Sequence, residues 1–123
     1  IEASPNDVKS SPSANVYIEP DGTIKVTSTH DQIFGRPYVY SGATFPSSGP
    51  PVLIYKAAFA IAQEVYRHGV IGHLGIDFVL SYDDESKSDK LYAVEINPRI
   101  TMSQSSFTMF DVLANGKFFP FHG

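Results

Sequence analysis

Between residues 52 and 68 the apolar side chains Ile54, Ala57, Ala58, Ile61, Ala62 and Val65 recur at three- and four-residue intervals. That spacing lays one stripe along a cylinder and predicts an amphipathic α-helix over 52–68. Pro50 or Pro51 suits its first turn, where a missing N–H loses no hydrogen bond, and Gly69 suits the position just past its end. Arg67 and His68 set positive charge against the negative end of the helix dipole. Elsewhere the period is two. NVYIE (15–19) and TIKVTS (23–28) flank the turn-forming PDG (20–22), which predicts a β-hairpin. Strand patterns recur at 75–81 and 91–97, and the polar run YDDESKSDK (82–90) joins them as a hairpin loop. A weaker helical pattern covers about 103–114, with Gly116 as its stop. Residues 1–15 are rich in Ser, Pro and Asn and aperiodic, and are expected as a flexible linker or loop. Residues 30–51, dense in Gly and Pro, read as a long loop with short extended pieces; such loops in compact domains often carry function. The fold class expected is α+β, a mainly antiparallel sheet with helices packed on one face.

The two later strands hold the chemistry. Pairing 75–81 antiparallel with 91–97, with Asp77 opposite Glu95, sets Ile76 against Ile96, Phe78 against Val94 and Leu80 against Tyr92. Side chains alternate between faces, so one face is then wholly apolar and is expected to pack on the helix of 52–68. The other face carries Gly75, Asp77, Val79, Ala93, Glu95 and Asn97. Two carboxylates directly opposite each other destabilise a strand pair, and partial burial raises that cost. A divalent cation removes the conflict. Asp77, Glu95 and the Asn97 side-chain oxygen are hard donors of the kind that suit Mg²⁺ or Mn²⁺ rather than zinc. Arg99 follows two residues on, and its forked guanidinium matches phosphate. The rival reading is an acidic face that is merely solvated. Against it, no Lys or Arg alternates with these acids, and Gly75 leaves room beside Asp77 for close approach of a ligand.

Composition narrows the field. The chain has 123 residues and a formal charge of −4, enough for one domain with a single core. Nine Phe and seven Tyr argue for a folded globule. Cysteine is absent, which excludes disulfides and thiolate metal sites. No apolar run approaches the ~20 residues of a membrane span, and mild acidity without basic clusters argues against nucleic acid as a partner. A cytoplasmic location is the default. Residue 1 is Ile, and the chain is expected to be a piece of something longer.

GIDFV (75–79), a hairpin and AVEINPR (93–99) together resemble the C-terminal half of the ATP-grasp superfamily, whose pattern is an acid on one strand and E-x-N-x-R on the next. The order of hairpin, loop, helix ending in Gly and G-x-D-F strand extends the resemblance over about residues 16–100. STHDQIFGRPYVYSGATFP (28–46) is similar to the peptide-ligase-type and IQ-motif-containing-protein-H-like branches, while the polar loop at 82–90 departs from the usual pattern. The resemblance implies that Asp77, Glu95 and Asn97 hold the Mg²⁺ that bridges ATP phosphates, and that Arg99 is the catalytic contact to phosphate and acyl-phosphate intermediate. It implies an ATP-dependent carboxylate–amine ligase acting on a small carboxylate and an amine-type acceptor. Gln32 and Arg36, in the loop laid near the phosphates, are candidate ATP contacts. Residues 16–123 are then a partial ATP-grasp domain, the C-terminal lobe. The phosphate-gripping lysine and the adenine contacts belong to an N-terminal lobe with no counterpart here, so the piece alone is expected to be inactive. The alternative is a degenerate ATP-grasp-like module that binds nucleotide or a partner without catalysis.

The remaining candidates have plainer roles. His30 and Asp31 are expected to shape their loop through local hydrogen bonds. His68 suits capping and His73 suits packing. Tyr38 and Tyr40 alternate as strand residues, and Asp83, Asp84 and Glu85 lack the spaced ligands of a calcium loop.

Overall fold

The computed structural model describes residues 7–37 and 39–119. Tyr38 and the first six residues of the expected linker lie outside them. Along the described residues run β1 (Val8–Ser10), β2 (Pro12–Ile18), β3 (Ile24–Arg36), β4 (Val39–Thr44), α1 (Pro51–Arg67), β5 (Gly72–Asp83), β6 (Ser88–Asn97) and α2 (Met102–Ala114). All strand pairs are antiparallel, which gives the α+β class. β2 sits between β3 and β5; β4 extends the sheet beyond β3, and β6 extends it beyond β5. The short β1 pairs with β5 at Leu80 and Ser81.

The core follows from alternation. Ala14, Val16 and Ile18 of β2 and Leu74, Ile76 and Phe78 of β5 turn to one face, where Ile54, Ala58 and Ala62 of α1 meet them. Each fully buried Ile, Leu or Phe there contributes roughly 1.5–3 kcal/mol. Pro51 opens α1, and Gly69 closes it at φ +84°. The N–H of Gly69 reaches the Tyr66 carbonyl at 2.8 Å and that of Val70 reaches Val65 at 3.3 Å, an arrangement that favours glycine at the left-handed position. α2 is tied down at its start. Thr101 caps it by accepting the Gln104 N–H at 3.1 Å, and Asn115 ends it at φ 48°.

Three expectations change. Residues 8–10 and 12–15, expected within a linker, are strand, and Pro12 to Asn15 are buried. Their Ser-Pro-Asn composition hides a period-two pattern in which Ala14, Val16 and Ile18 face the core. Residues 30–36 and 39–44, expected mostly as loop, form the far half of β3 and all of β4. Largely exposed side chains gave that hairpin no apolar signature. The third change concerns β6. Asp77 pairs with Glu95 and Ile76 with Ile96, as expected, but the register then shifts between Asp77 and Phe78. Phe78 opposes Ala93, and Leu80 opposes Leu91. Val94 is the extra residue of a β-bulge, which re-aims everything before it. Leu91, not Tyr92, therefore packs against the core. α1 lies over β2 and β3 and leaves β6 uncovered, so Ile96, opposite Ile76, is 45% exposed, while the bulge turns Tyr92, opposite Val79, and Val94 to the other face. The apolar face expected to be continuous stops at β5.

Candidate functional site

The other face of the sheet builds a cleft. Antiparallel partners share a face, so the pairings Ser13–Asp77, Asn15–Gly75, Asp77–Glu95 and Gly75–Asn97 bring β2, β5 and β6 residues together on it. β3 adds His30 opposite Ser13. These side chains, with Gln32, Tyr40, Arg99 and Thr101, line a cleft of about 870 Å³. Asp77, Glu95, Asn97, Arg99 and Gln32 are thus brought to one place. Arg36 is not: it lies exposed at the far end of β3, paired with Val39, and does not line the cleft.

A chain of hydrogen bonds holds Asp77. Gln32 Nε2 donates to Ser13 Oγ at 2.6 Å, and Ser13 Oγ donates to Asp77 Oδ1 at 2.6 Å. Asn97 Nδ2 donates to Asp77 Oδ2 at 3.2 Å, while Arg99 Nη2 donates to Asn97 Oδ1 at 3.1 Å. Burial pushes the Asp77 carboxyl above its ordinary range. The Ser13 bond opposes this, while the Glu95 charge and a hydrogen bond with Glu95, which needs a proton on the pair, add to it. Two acids in conflict and an acceptor-rich surface suit a divalent cation. Among the described residues no group of three or more His, Cys, Asp and Glu side chains is placed to hold a metal, so any cation here depends on Asn97 as third donor. Its amide presents nitrogen to Asp77. A half-turn of that amide brings oxygen to the same side and gives up the bond from Arg99. With that turn the donors fit a small hard cation that completes its shell with water and phosphate oxygens.

The segment from Asn97 to Thr101 is fastened at both ends. Thr101 Oγ1 donates to Asn15 Oδ1 at 2.9 Å, and Ser103 Oγ donates to the same oxygen at 3.3 Å. Asn15 Nδ2 donates to Ser28 Oγ at 2.9 Å, so both the oxygen and the nitrogen of this buried amide are engaged. Thr101 Cγ2 lies 2.5 Å from where a Cβ on Gly75 would stand. The room beside Asp77 read from Gly75 is therefore taken by Thr101, and the glycine serves docking of α2. α2 in this way meets the sheet on the Asp77 side, and Thr27 adds a bond to Gln104 at 2.8 Å.

Sequence reasoning missed Ser13, Asn15 and Thr101. Ser13 and Asn15 stand at alternate positions in PSANVYI, the pattern of one polar face, but the residues looked like loop. His30 also differs from expectation. It is 2% exposed, against Phe45 with ring centroids 5.2 Å apart. Burial drops its pKa to about 4, against a smaller opposing effect of Asp31. Asp31 behaves as expected: it accepts from Ser47 Oγ and the Ser48 N–H, both at 2.7 Å, and so closes the connection to α1.

A family model described as "IQCH-like, ATP-grasp" matches residues 1–119. The chain belongs to the IQCH-like ATP-grasp family. Solved structures share the fold. N5-carboxyaminoimidazole synthetase from Staphylococcus aureus superposes with a TM-score of 0.62 at 18% identity, over 79% of this chain and 24% of that one. The same enzyme complexed with ADP gives the same values. An ATP-grasp superfamily protein from Archaeoglobus fulgidus gives 0.61 at 24% identity, over 91% of this chain and 36% of that one. The chain thus spans a quarter to about a third of the length of these ATP-grasp relatives. No helix among its described residues is long and apolar enough to cross a membrane.

Proposed function

We propose that this ATP-grasp chain supplies the metal-and-phosphate half of a nucleotide site in an ATP-dependent carboxylate–amine ligase. The observation that carries the reading is the convergence of Asp77, Glu95, Asn97 and Arg99 on one cleft, in a member of this family. Asp77, Glu95 and Asn97 would hold Mg²⁺ or Mn²⁺. Bound there, the cation neutralises phosphate charge and orients the phosphoryl group. Arg99 binds phosphate with its fork and, freed from Asn97 when that amide turns, has its donors available for it. Ser13 and Gln32 hold the Asp77 carboxylate in place.

The reaction runs in two steps. A substrate carboxylate oxygen attacks the γ-phosphorus of ATP, forming an acyl phosphate as ADP departs. An amine then attacks the carbonyl carbon and displaces phosphate, forming the carbon–nitrogen bond. Neither step needs a nucleophile from the protein; positioning and charge neutralisation suffice. The lysine and adenine contacts would come from an N-terminal lobe, and a cytoplasmic setting suits an ATP consumer.

Calorimetric titration of the complete protein with ATP and Mg²⁺ tests the binding half of this proposal. Saturable, Mg²⁺-dependent binding that falls at least about tenfold in Glu95→Gln is expected. ADP release dependent on an added carboxylate separates a ligase from a module that only binds. Wild-type turnover in Glu95→Gln would remove Glu95 from the mechanism.

A further inference from the structure

The cleft has two ends. Asp77 and Glu95 form one row across the sheet with Ser13 and His30. Asn97, opposite Gly75, and Arg99 after it stand on one side of that row. On the other side β3 carries the same face from His30 through Gln32 to Phe34, roughly 13 Å along the strand. There the lining changes character, to Phe34, Pro37, Tyr40 and Val79. The charged side chains that line the cleft, Asp77, Glu95 and Arg99, all belong to the first end. A volume of about 870 Å³ suits a whole small organic ligand, not only a metal and phosphates.

The β3–β4 hairpin is built to turn one aromatic pair to this face. Ile33 pairs with Gly42, Phe34 with Tyr40 and Arg36 with Val39, so the register shifts on both sides of Phe34. Ser41 is the extra residue on β4, and Gly35 is the extra residue on β3. Without the first bulge Ser41 would oppose Phe34, and Tyr40 would fall on the opposite face of the sheet. The two extra residues are tied together: the Gly35 N–H donates to Ser41 Oγ at 2.9 Å. A Cβ on Gly35 would stand 2.5 Å from that oxygen. Phe34 and Tyr40 are 43 and 36% exposed, and neither ring meets another ring among the described residues. Ring-to-ring stabilisation of the hairpin therefore does not account for them. Tyr40 also lies in the field of Asp77: burial first, and then the Asp77 charge, hold its phenol above the ordinary range.

We infer that Phe34 and Tyr40 form the specificity-determining wall of the pocket for the carboxylate substrate, and that they select an acid whose side chain is apolar. This names the substrate class of the ligase reading and rests on it. The attacking carboxylate has to meet the γ-phosphorus beside Asp77 and Glu95, so the rest of the acid extends past Val79 toward the hairpin. Among the described residues no charged side chain lines the cleft at that end. A second carboxylate or an ammonium there would lose its water without gaining a partner. Two aromatic side chains instead shield apolar surface from water. On the same reading the adenine contacts come from the N-terminal lobe, which leaves the wall to the acid.

The experiment uses the complete protein saturated with Mg²⁺ and ADP, titrated calorimetrically with 3-phenylpropionate, isovalerate, acetate and glutarate. 3-Phenylpropionate should bind at least about tenfold more tightly than acetate, with isovalerate between them and glutarate no tighter than acetate. Phe34→Ala and Tyr40→Ala should each remove most of that preference, and Tyr40→Phe, which keeps the ring, should retain it. Phe34→Arg should reverse the order in favour of glutarate, a change that loss of structure alone cannot produce. Mg²⁺–ADP affinity should be the same in all four variants, whose altered side chains are exposed. The inference is overturned if no acid binds, if the wild type shows no preference or prefers glutarate, or if the Ala variants keep the preference. It is equally overturned if the Ala variants weaken Mg²⁺–ADP, which would make the pair a nucleotide contact. Failure of Mg²⁺–ADP to bind, or absence of ADP release from ATP with every acid, would instead overturn the ligase reading.

Discussion

Asp77 holds together two demands that pull apart. Its carboxyl is half-buried and faces Glu95 across the strand pair, so the folded state holds a proton more tightly than the unfolded chain does. Stability from that preference is fully present below the ordinary value of 3.8 and is lost as pH rises through the raised value. At neutral pH the ionised pair therefore weakens the fold. Asp77→Asn removes one charge and keeps an oxygen for Ser13 to donate to. Denaturant unfolding at pH 7 should show the variant more stable than wild type by about 1 kcal/mol, the order expected for opposed like charges. The difference should vanish toward pH 3, and Mg²⁺-dependent nucleotide binding should be lost at every pH. A variant less stable than wild type at pH 7 would contradict the assignment. Gain of stability with loss of binding is the usual relation where a site is built from groups the fold alone does not favour.

At the level of elements, the β2–α2 junction decides whether Arg99 has a place to stand. Asn15 accepts from Thr101 and Ser103 and donates to Ser28, while Thr101 Oγ1 and Ser103 Oγ also lie 3.0 Å apart. Asn15→Leu would leave one of the two hydroxyls without an acceptor, since only one can donate to the other, and would take the donor from Ser28, at roughly 1–3 kcal/mol for each group that finds no other partner. The complete protein carrying this variant should lose at least that much stability in denaturant unfolding, and α2 should exchange its amides faster. A loss under about 0.5 kcal/mol would show that the cap of α2 does not depend on Asn15. This junction also marks how far the sequence could be read. The Asp77–Glu95 register was legible because alternation ties a strand's two faces to the parity of its positions. The bulge at Val94 was not legible, because one extra residue leaves the composition of AVEIN unchanged and becomes visible only against the partner strand. Asn15 was hidden for another reason: its three partners come from positions 28, 101 and 103, and no local pattern encodes such a meeting. Glu95, Asn97 and Arg99 sit in a five-residue stretch and Asp77 on the strand paired with it, so their meeting on one face could be read; the groups that hold them in place are spread along the chain.

Across the whole molecule, protection against unfolding should be uneven in a way the topology fixes. β2 and β5 have a partner strand on each side, and β2 also lies under α1. β4 and β6 are edges, and α2 keeps Met102, Met109, Val112 and Leu113 exposed. Few buried contacts and open hydrogen bonds give low local stability. Hydrogen exchange of the complete protein should therefore be slowest in β2, β5 and α1 and fastest in β4 and the second half of α2. Ligand then acts on the weak part. Anything that binds only the folded site stabilises it by RT ln(1 + [L]/Kd), about 2.7 kcal/mol at a hundredfold excess over Kd. Mg²⁺–ADP should accordingly slow exchange in β6 and in residues 97–104 while leaving the slow amides of α1 unchanged up to the limit set by global unfolding. Glu95 and Asn97 lie on an edge strand and Arg99 on the segment leading into a weakly packed helix, while Asp77 lies on the protected β5, so the β6 side of the proposed site is the part with stability still to gain. Equal slowing everywhere, or slowing confined to β4, would place the nucleotide somewhere other than the Asp77 cleft.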